Sequence, residues 1–245
     1  MERKNKIVLT TNIVFLALIL IADVLFICGT VSTKIIKPIA SGFFVLCGLF
    51  NLLYIGKYHK SKQIYKPLIL FIGLIFAFVG DMLLMFASLF VMGAIFFAIG
   101  HMFFIAYFIL LHNMRWIDLL ICGIIMSGCI LLINLYKGFD FQGMEFIITL
   151  YAVIISIMVG KSVGNFITKS SLSNFILMLG AILFFTSDVM LVFSNFTTLA
   201  PNLFDTLCLA TYYPGEFLLA FGLLLSGVEN GKTAKNKEKL AKYLK

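Results

Sequence analysis

Charge is what this sequence has least of. Only 12% of its 245 residues are Asp, Glu, Lys or Arg, while 62% are hydrophobic and 27 are Phe. A soluble domain carries roughly 25% charged and 45–50% apolar residues, so the composition excludes one and implies an integral membrane protein. Membrane spans use up the length and leave no room for a separate soluble domain. Paired cysteines are also lacking. The five Cys, at positions 28, 47, 122, 129 and 208, sit inside apolar runs without a C-x-x-C spacing, and read as small packing hydrophobes. Histidine is scarce: of three, His59 and His112 fall in cytoplasmic-side segments, far in depth from His101. A zinc site takes three or four ligands, which argues against a zinc hydrolase. The start, Arg3-Lys4-Asn5-Lys6 before an apolar run, begins like a secretory signal. The run continues to about Gly29, contains Asp23 and lacks a small-residue cleavage site, so it predicts an uncleaved first span.

What is there is hydrophobic length. A helix crosses the bilayer with about 20 apolar residues. Eight segments qualify: 7–29, 35–56, 66–87, 89–111, 117–136, 142–162, 172–195 and 204–228. The expected fold is all-α, an eight-helix transmembrane bundle over 1–230 with a Lys-rich, solvated tail over 231–245. The turn near Ala87-Ser88 is tight enough to make spans three and four an antiparallel hairpin. A break over Lys161–Ser171 is expected to separate spans six and seven. Of the 19 Lys and Arg, 16 fall on the side of the two termini and three, Lys34, Lys37 and Lys137, on the other. The positive-inside rule then puts both termini in the cytoplasm, in a cell-membrane protein. The net charge of +8 lies in short loops and tails, which points to topology and anionic lipid rather than nucleic acid.

Two spans share a motif. Phe78-Val79-Gly80-Asp81-Met82-Leu83-Leu84-Met85-Phe86 returns 107 positions later as Phe185-Thr186-Ser187-Asp188-Val189-Met190-Leu191-Val192-Phe193. Each copy has a Gly eight residues before its Asp, Gly73 and Gly180. The spans that follow carry Gly100-His101 and Gly215-Glu216. Four-span halves keep one orientation, which is compatible with a parallel 4+4 repeat. An intramembrane carboxylate costs roughly 2.5–3.5 kcal/mol on insertion scales and marks a functional site by default. Counted from the outer helix ends, Asp81, Asp188 and Asp23 lie about 9–11 Å inside, Tyr212 and Tyr213 about 12–14 Å, and His101 and Glu216 about 18 Å. These groups predict one cavity open toward the outside. Tyr212 and Tyr213 share a helix face with Glu216, and Lys34, Lys37 and Ser41 share another. Pro38 is expected near a helix start, where proline is tolerated. Lys37 is the natural partner of Asp23, Asp81 or Asp188, because buried charges need partners. Asp23 and Glu145 read as structural or interfacial groups, and Gly160-x-x-x-Gly164 and Gly222-x-x-x-Ser226 as helix-packing motifs.

Lys37-Pro38, Gly80-Asp81, Gly100-His101, Ser187-Asp188 and Tyr212-Tyr213 before Glu216, in that order and spacing, resemble the YhhN-type lysoplasmalogenase family of eight-span membrane proteins. The resemblance covers nearly the whole chain. It departs at Glu216, where many relatives are expected to carry Gln. It implies hydrolysis of the vinyl-ether bond of a lysoplasmalogen to a fatty aldehyde and glycerophospho-ethanolamine or -choline, without a cofactor. A lysophospholipid or other ether lipid is then the substrate, with membrane lipid around it. It also implies Asp81 and Asp188 as the catalytic pair. The chemistry of the neighbouring groups then gives the expected roles around them, with His101 as a proton relay or hydrogen-bond donor. Lys34 and Lys37 would hold the phosphate, Tyr212 and Tyr213 would orient the headgroup, and Asp23, Ser187 and Glu216 would complete the binding site. The chemistry parallels glycoside hydrolysis, where two carboxyls face an oxocarbenium-like transition state. The rival reading is a proton- or cation-coupled carrier of small molecules or lipids that uses the same carboxylates.

Overall fold

The computed structural model describes residues 2–59 and 64–243, with side chains described over 6–58 and 64–231. It is all-helical. The order is α1 (Glu2–Ile27), α2 (Thr33–His59), α3 (Tyr65–Leu84), a 3-10 turn (Ala87–Leu89), α4 (Phe90–Leu111), α5 (Trp116–Leu135), α6 (Glu145–Thr168), α7 (Leu172–Phe196) and α8 (Pro201–Tyr243). Eight helices among the described residues are long and apolar enough to cross a membrane. The 3-10 turn closes the α3–α4 hairpin as the spacing predicts. The proposed solvation of the Lys-rich tail, and the placement of the His59 side chain, fall outside the described side chains.

Three differences from the sequence expectation have physical causes. First, α6 starts at Glu145 rather than 142, because Gln142 and Gly143 take positive φ angles of 52° and 84°. Helical backbone needs negative φ, and only Gly adopts the left-handed region freely. Second, α6 continues to Thr168, so Lys161 is not a loop charge. It is fully buried, and its ammonium donates to Asp118 Oδ2 at 2.7 Å and to the Asn113 carbonyl at 3.1 Å. Third, α2 begins at Thr33, which places Pro38 inside the helix rather than in its first turn. There it withholds the N–H that the Lys34 carbonyl would have accepted. Pro214 does the same within α8, between Tyr212 and Glu216.

Helix α8 is the hub, packing on α7, α2, α1 and α3. Without water between helices, packing in a bilayer rests on close backbone approach and interhelical hydrogen bonds. Both occur. Gly73 and Gly100 bring α3 and α4 together, a Cβ on Gly100 standing 3.1 Å from the Gly73 carbonyl oxygen. Gly180 and Gly215 do the same for α7 and α8, at 3.0 Å from the Gly215 oxygen. Asn12 and Asn51 exchange side-chain amide hydrogen bonds at 2.9 and 2.8 Å, and Asn51 also donates to the Ala220 carbonyl, tying α1, α2 and α8. Tyr107 and Ser226 bond α4 to α8.

Helix α5 is the outlier. It packs on α6 alone, and only Asp118 and Cys122 of its residues are buried. Both sit against the small residues of the Gly160-x-x-x-Gly164 motif: a Cβ on Gly160 would meet the Cys122 backbone nitrogen at 2.7 Å, and one on Gly164 would collide with the Asp118 carboxyl. Arg115, half-buried, completes the ion cluster there, bonding Asp118 Oδ1 and the Gly164 carbonyl, each at 2.7 Å. A helix apolar on every side has no preferred face toward lipid, so this cluster fixes how α5 sits.

Candidate active site

The two motif carboxylates come from two helical hairpins and line one cavity of about 590 Å³. Its inner wall carries Lys37, Asp81, Ser187, Asp188 and Tyr212. Asn195, Asn202, Asp205 and Thr206 line it toward the end opposite the termini. Spacing from a helix end does not by itself give depth in the bundle. Asp81 is three residues from the end of α3, whereas Tyr212, bonded to it, is eleven residues into α8. The α7–α8 hairpin therefore rises roughly 12 Å beyond α3, which makes a wall for the cavity mouth.

Asp81 is held on both oxygens. Lys37 Nζ lies 3.4 Å from Oδ1, while Ser41 and Tyr212 donate their hydroxyls to Oδ2 at 2.6 and 2.8 Å. Of the three carboxylates open to it in sequence, Lys37 thus pairs with Asp81. Asp188 has a different setting. Tyr151 of α6 donates to its Oδ2 at 2.7 Å, and His101 Nε2 is 3.8 Å from the same oxygen, too far for a hydrogen bond. No lysine or arginine is paired with Asp188 among the described residues. Each Asp is thus bonded from the preceding helix, α2 for Asp81 and α6 for Asp188. The donors differ: an ammonium and a hydroxyl for the first, a phenol for the second.

Beneath the carboxylates lies an aromatic floor. Tyr212 meets Phe184, Phe97 and Phe44 edge-on at centroid distances of 5.3, 6.0 and 6.2 Å. His101 is fully buried, packed edge-on to Phe184 at 4.6 Å and Tyr151 at 5.3 Å. It backs Asp188 and does not line the cavity. Ser187 does line it, with its hydroxyl turned to donate to the Phe184 carbonyl at 2.7 Å.

The remaining predicted residues stand apart from the cavity wall. Lys34 is exposed beside it, while Asp23, Tyr213 and Glu216 are buried behind it. Both Glu216 oxygens are sequestered without a hydrogen-bond partner among the described residues. An isolated buried carboxylate is too costly to keep charged. As a neutral carboxyl, Glu216 matches the shape and charge of the Gln expected there.

Sequence reasoning missed Tyr151, Asn195, Asn202 and Asp205. Tyr151 offers one signal, a phenol inside an apolar span. The others are ordinary polar residues near a helix end, and only the height of the α7–α8 hairpin makes them a wall. Cys208 also lines the cavity, and all five Cys are free thiols.

No curated protein and no solved structure matches the chain. The YhhN family profile matches residues 33–223, a stretch that includes Lys37, Asp81, His101, Asp188, Tyr212 and Glu216 together with the helices that carry them. A match over that much of the sequence, with the two carboxylates meeting at one cavity, makes this chain a member of the YhhN family.

Proposed function

We propose that the protein hydrolyses the vinyl-ether bond of lysoplasmalogens within the membrane, releasing a fatty aldehyde and a glycerophospho-ethanolamine or -choline. The observation that carries this reading is the unequal pair of carboxyls on one cavity. Asp81, facing an ammonium and two hydroxyls, is suited to stay ionised. Asp188, in an apolar setting with one phenol donor, is suited to hold a proton. That is the division of roles acid-catalysed enol-ether cleavage needs.

In this mechanism Asp188 transfers its proton to the β-carbon of the vinyl ether, leaving an oxocarbenium ion opposite the Asp81 carboxylate. Water adds to the cationic carbon and gives a proton to Asp81. The resulting hemiacetal returns its hydroxyl proton to Asp188 as the C–O bond to glycerol breaks, and the departing oxygen takes the proton from Asp81. One water is consumed and both carboxyls regain their starting states. Lys37 and the polar mouth face the phosphate end of the lipid. The proposed orientation puts both termini in the cytoplasm and the mouth on the outer face of the cell membrane, following the charge asymmetry of the loops.

The test is mass spectrometry of 1-alkenyl lysophosphatidylethanolamine incubated with detergent-purified protein. Aldehyde should appear as the vinyl ether disappears, and Asp81→Asn or Asp188→Asn should abolish it. Turnover at the wild-type rate by either variant would remove that residue from the mechanism. Gradient-coupled uptake by proteoliposomes, with no aldehyde from the wild type, would overturn the hydrolase reading in favour of a carrier.

A further inference from the structure

A narrow apolar slot reaches Asp188 from the side of the bundle. It runs between the outer parts of α4 and α6, lined by Val91 and Ala94 of α4, Met144 at the N-cap of α6, Ile147 of α6, and Val192 of α7. The α4 residues Val91, Ala94 and Phe97 recur at i,i+3, as do Met144, Ile147 and Tyr151 at i,i+3 and i+7, so one face of each helix forms a wall. Its polar atoms are confined to the inner end, where Asp188 and Tyr151 stand. Leu84, Phe90, Phe97, Asp188 and Leu191 line both this slot and the polar cavity. The two spaces therefore meet at one carboxyl, one of them polar and open at the bundle end, the other apolar and flanked by lipid-facing residues such as Met92, Ile95 and Phe146, all exposed.

We infer that the slot between α4 and α6 receives the hydrocarbon chain of the substrate directly from the surrounding bilayer. The inference rests on the hydrolase reading above and adds the route and seat of the chain. In a vinyl-ether lipid the reacting carbons are the first two of the chain, with the glycerol headgroup on one side and the alkyl tail on the other. A site for that bond needs a polar space and an apolar space joined at the acid, and this is the arrangement around Asp188. Lateral entry also keeps the tail in apolar surroundings throughout, whereas passage through the polar cavity would bring it into water. Ala94 is the small residue in the wall, so its size sets the width of the passage.

A second apolar space beside Asp188, lined by Cys129, Ala152, Phe185, Val189 and Phe193 between α5, α6 and α7, provides the internal comparison. It shares only Asp188 with the polar cavity. Wild-type protein in bilayer nanodiscs would be photolabelled with a saturated 1-alkyl lysophosphatidylethanolamine bearing a diazirine near the middle of its chain. This lipid has no vinyl ether, so labelling is read without turnover. Label on Val91, Ala94 or Ile147 supports the slot; label confined to the Cys129–Ala152 space, or to neither, overturns it. In a second arm, Ala94→Phe should lower turnover of a 16-carbon vinyl-ether lipid at least tenfold while a four-carbon analogue reacts within about twofold of wild type, and Ala152→Phe should spare both. Equal turnover of the long chain by Ala94→Phe would exclude the slot. Failure of the hydrolase reading shows separately, as wild-type protein that releases no aldehyde from either chain.

Discussion

Tyr212 of α8 donates its phenol proton to Asp81 of α3 across 131 positions of sequence, at 2.8 Å, on the carboxyl oxygen that also accepts from Ser41. Tyr151 makes the matching bond to Asp188 at 2.7 Å, where no other side-chain donor is within hydrogen-bond distance among the described residues. Removing one donor of several should matter less than removing the one. Tyr151→Phe is expected to lower kcat about ten- to a hundredfold, because its phenol stabilises the carboxylate that Asp188 becomes as the proton leaves, on the scale of about 1.5–3 kcal/mol for a hydrogen bond to a charged group. Tyr212→Phe should lose less than tenfold. Steady-state aldehyde release by the two purified variants checks the order; a larger loss for Tyr212→Phe would reverse the assignment of roles.

Lys37 and Asp81 form an ion pair that is largely withdrawn from solvent. Breaking a buried pair from one side costs about 3–5 kcal/mol because a charge is left unmatched. Lys37→Met should therefore lower thermal stability in detergent, and Lys37→Met combined with Asp81→Asn should recover much of the loss. A double variant no more stable than Lys37→Met alone would show that the pair does not couple.

The Arg115–Asp118–Lys161 cluster joins α5 to α6 and lies far from the carboxylate cavity along the bundle. Lys161→Met is expected to destabilise by about 3–5 kcal/mol through loss of α5 docking. The specific activity of the protein that remains folded should match wild type. Size-exclusion profiles and melting curves, read beside turnover per folded molecule, separate the two effects.

Glu216 should behave as a neutral group. Glu216→Gln is expected to keep turnover within about threefold and to leave stability unchanged or raised, since an amide needs no proton to stay uncharged. Loss of more than tenfold would mean that its carboxyl takes part in proton transfer.

His112, at the end of α4 that carries the termini, is pushed below its ordinary value of 6.5 by burial first, and then by Lys169, Lys161, Arg115 and Lys66. Its Nε2 is 3.3 Å from the Asn174 amide nitrogen, a contact that suits the neutral ring. A depressed histidine contributes stability that is present above its unfolded value and lost as pH falls through the folded value. Melting temperature should therefore fall as pH drops below about 6.5, and His112→Gln should flatten that part of the profile.

The eight spans were legible in the sequence because hydrophobic length is a local property, written in runs of about 20 residues. So were the two Asp motifs and their preceding glycines, since a carboxylate inside such a run has no cheap bland explanation. The later start of α6 lay beyond that reading because Gln142 carries no sign of its left-handed φ. Lys161 read as a loop charge because its partner is 43 positions away.

The sequence by itself determined the membrane class, the span count, the side on which basic residues concentrate, and which carboxylates stand in the spans. Tertiary structure decided which of them meet. Lys37 has three acidic candidates in sequence, and the packing of α2 against α3 selects Asp81. Glu216 reads as a pocket charge in sequence and stands behind the wall in the fold. Tyr151 and the α4–α6 slot have no local signature, because each is made by side chains of different helices converging on Asp188. Periodicity reports which residues share a face of one helix. Which faces then oppose each other depends on the close crossings at Gly73–Gly100 and Gly180–Gly215, where backbones approach as no larger residue permits.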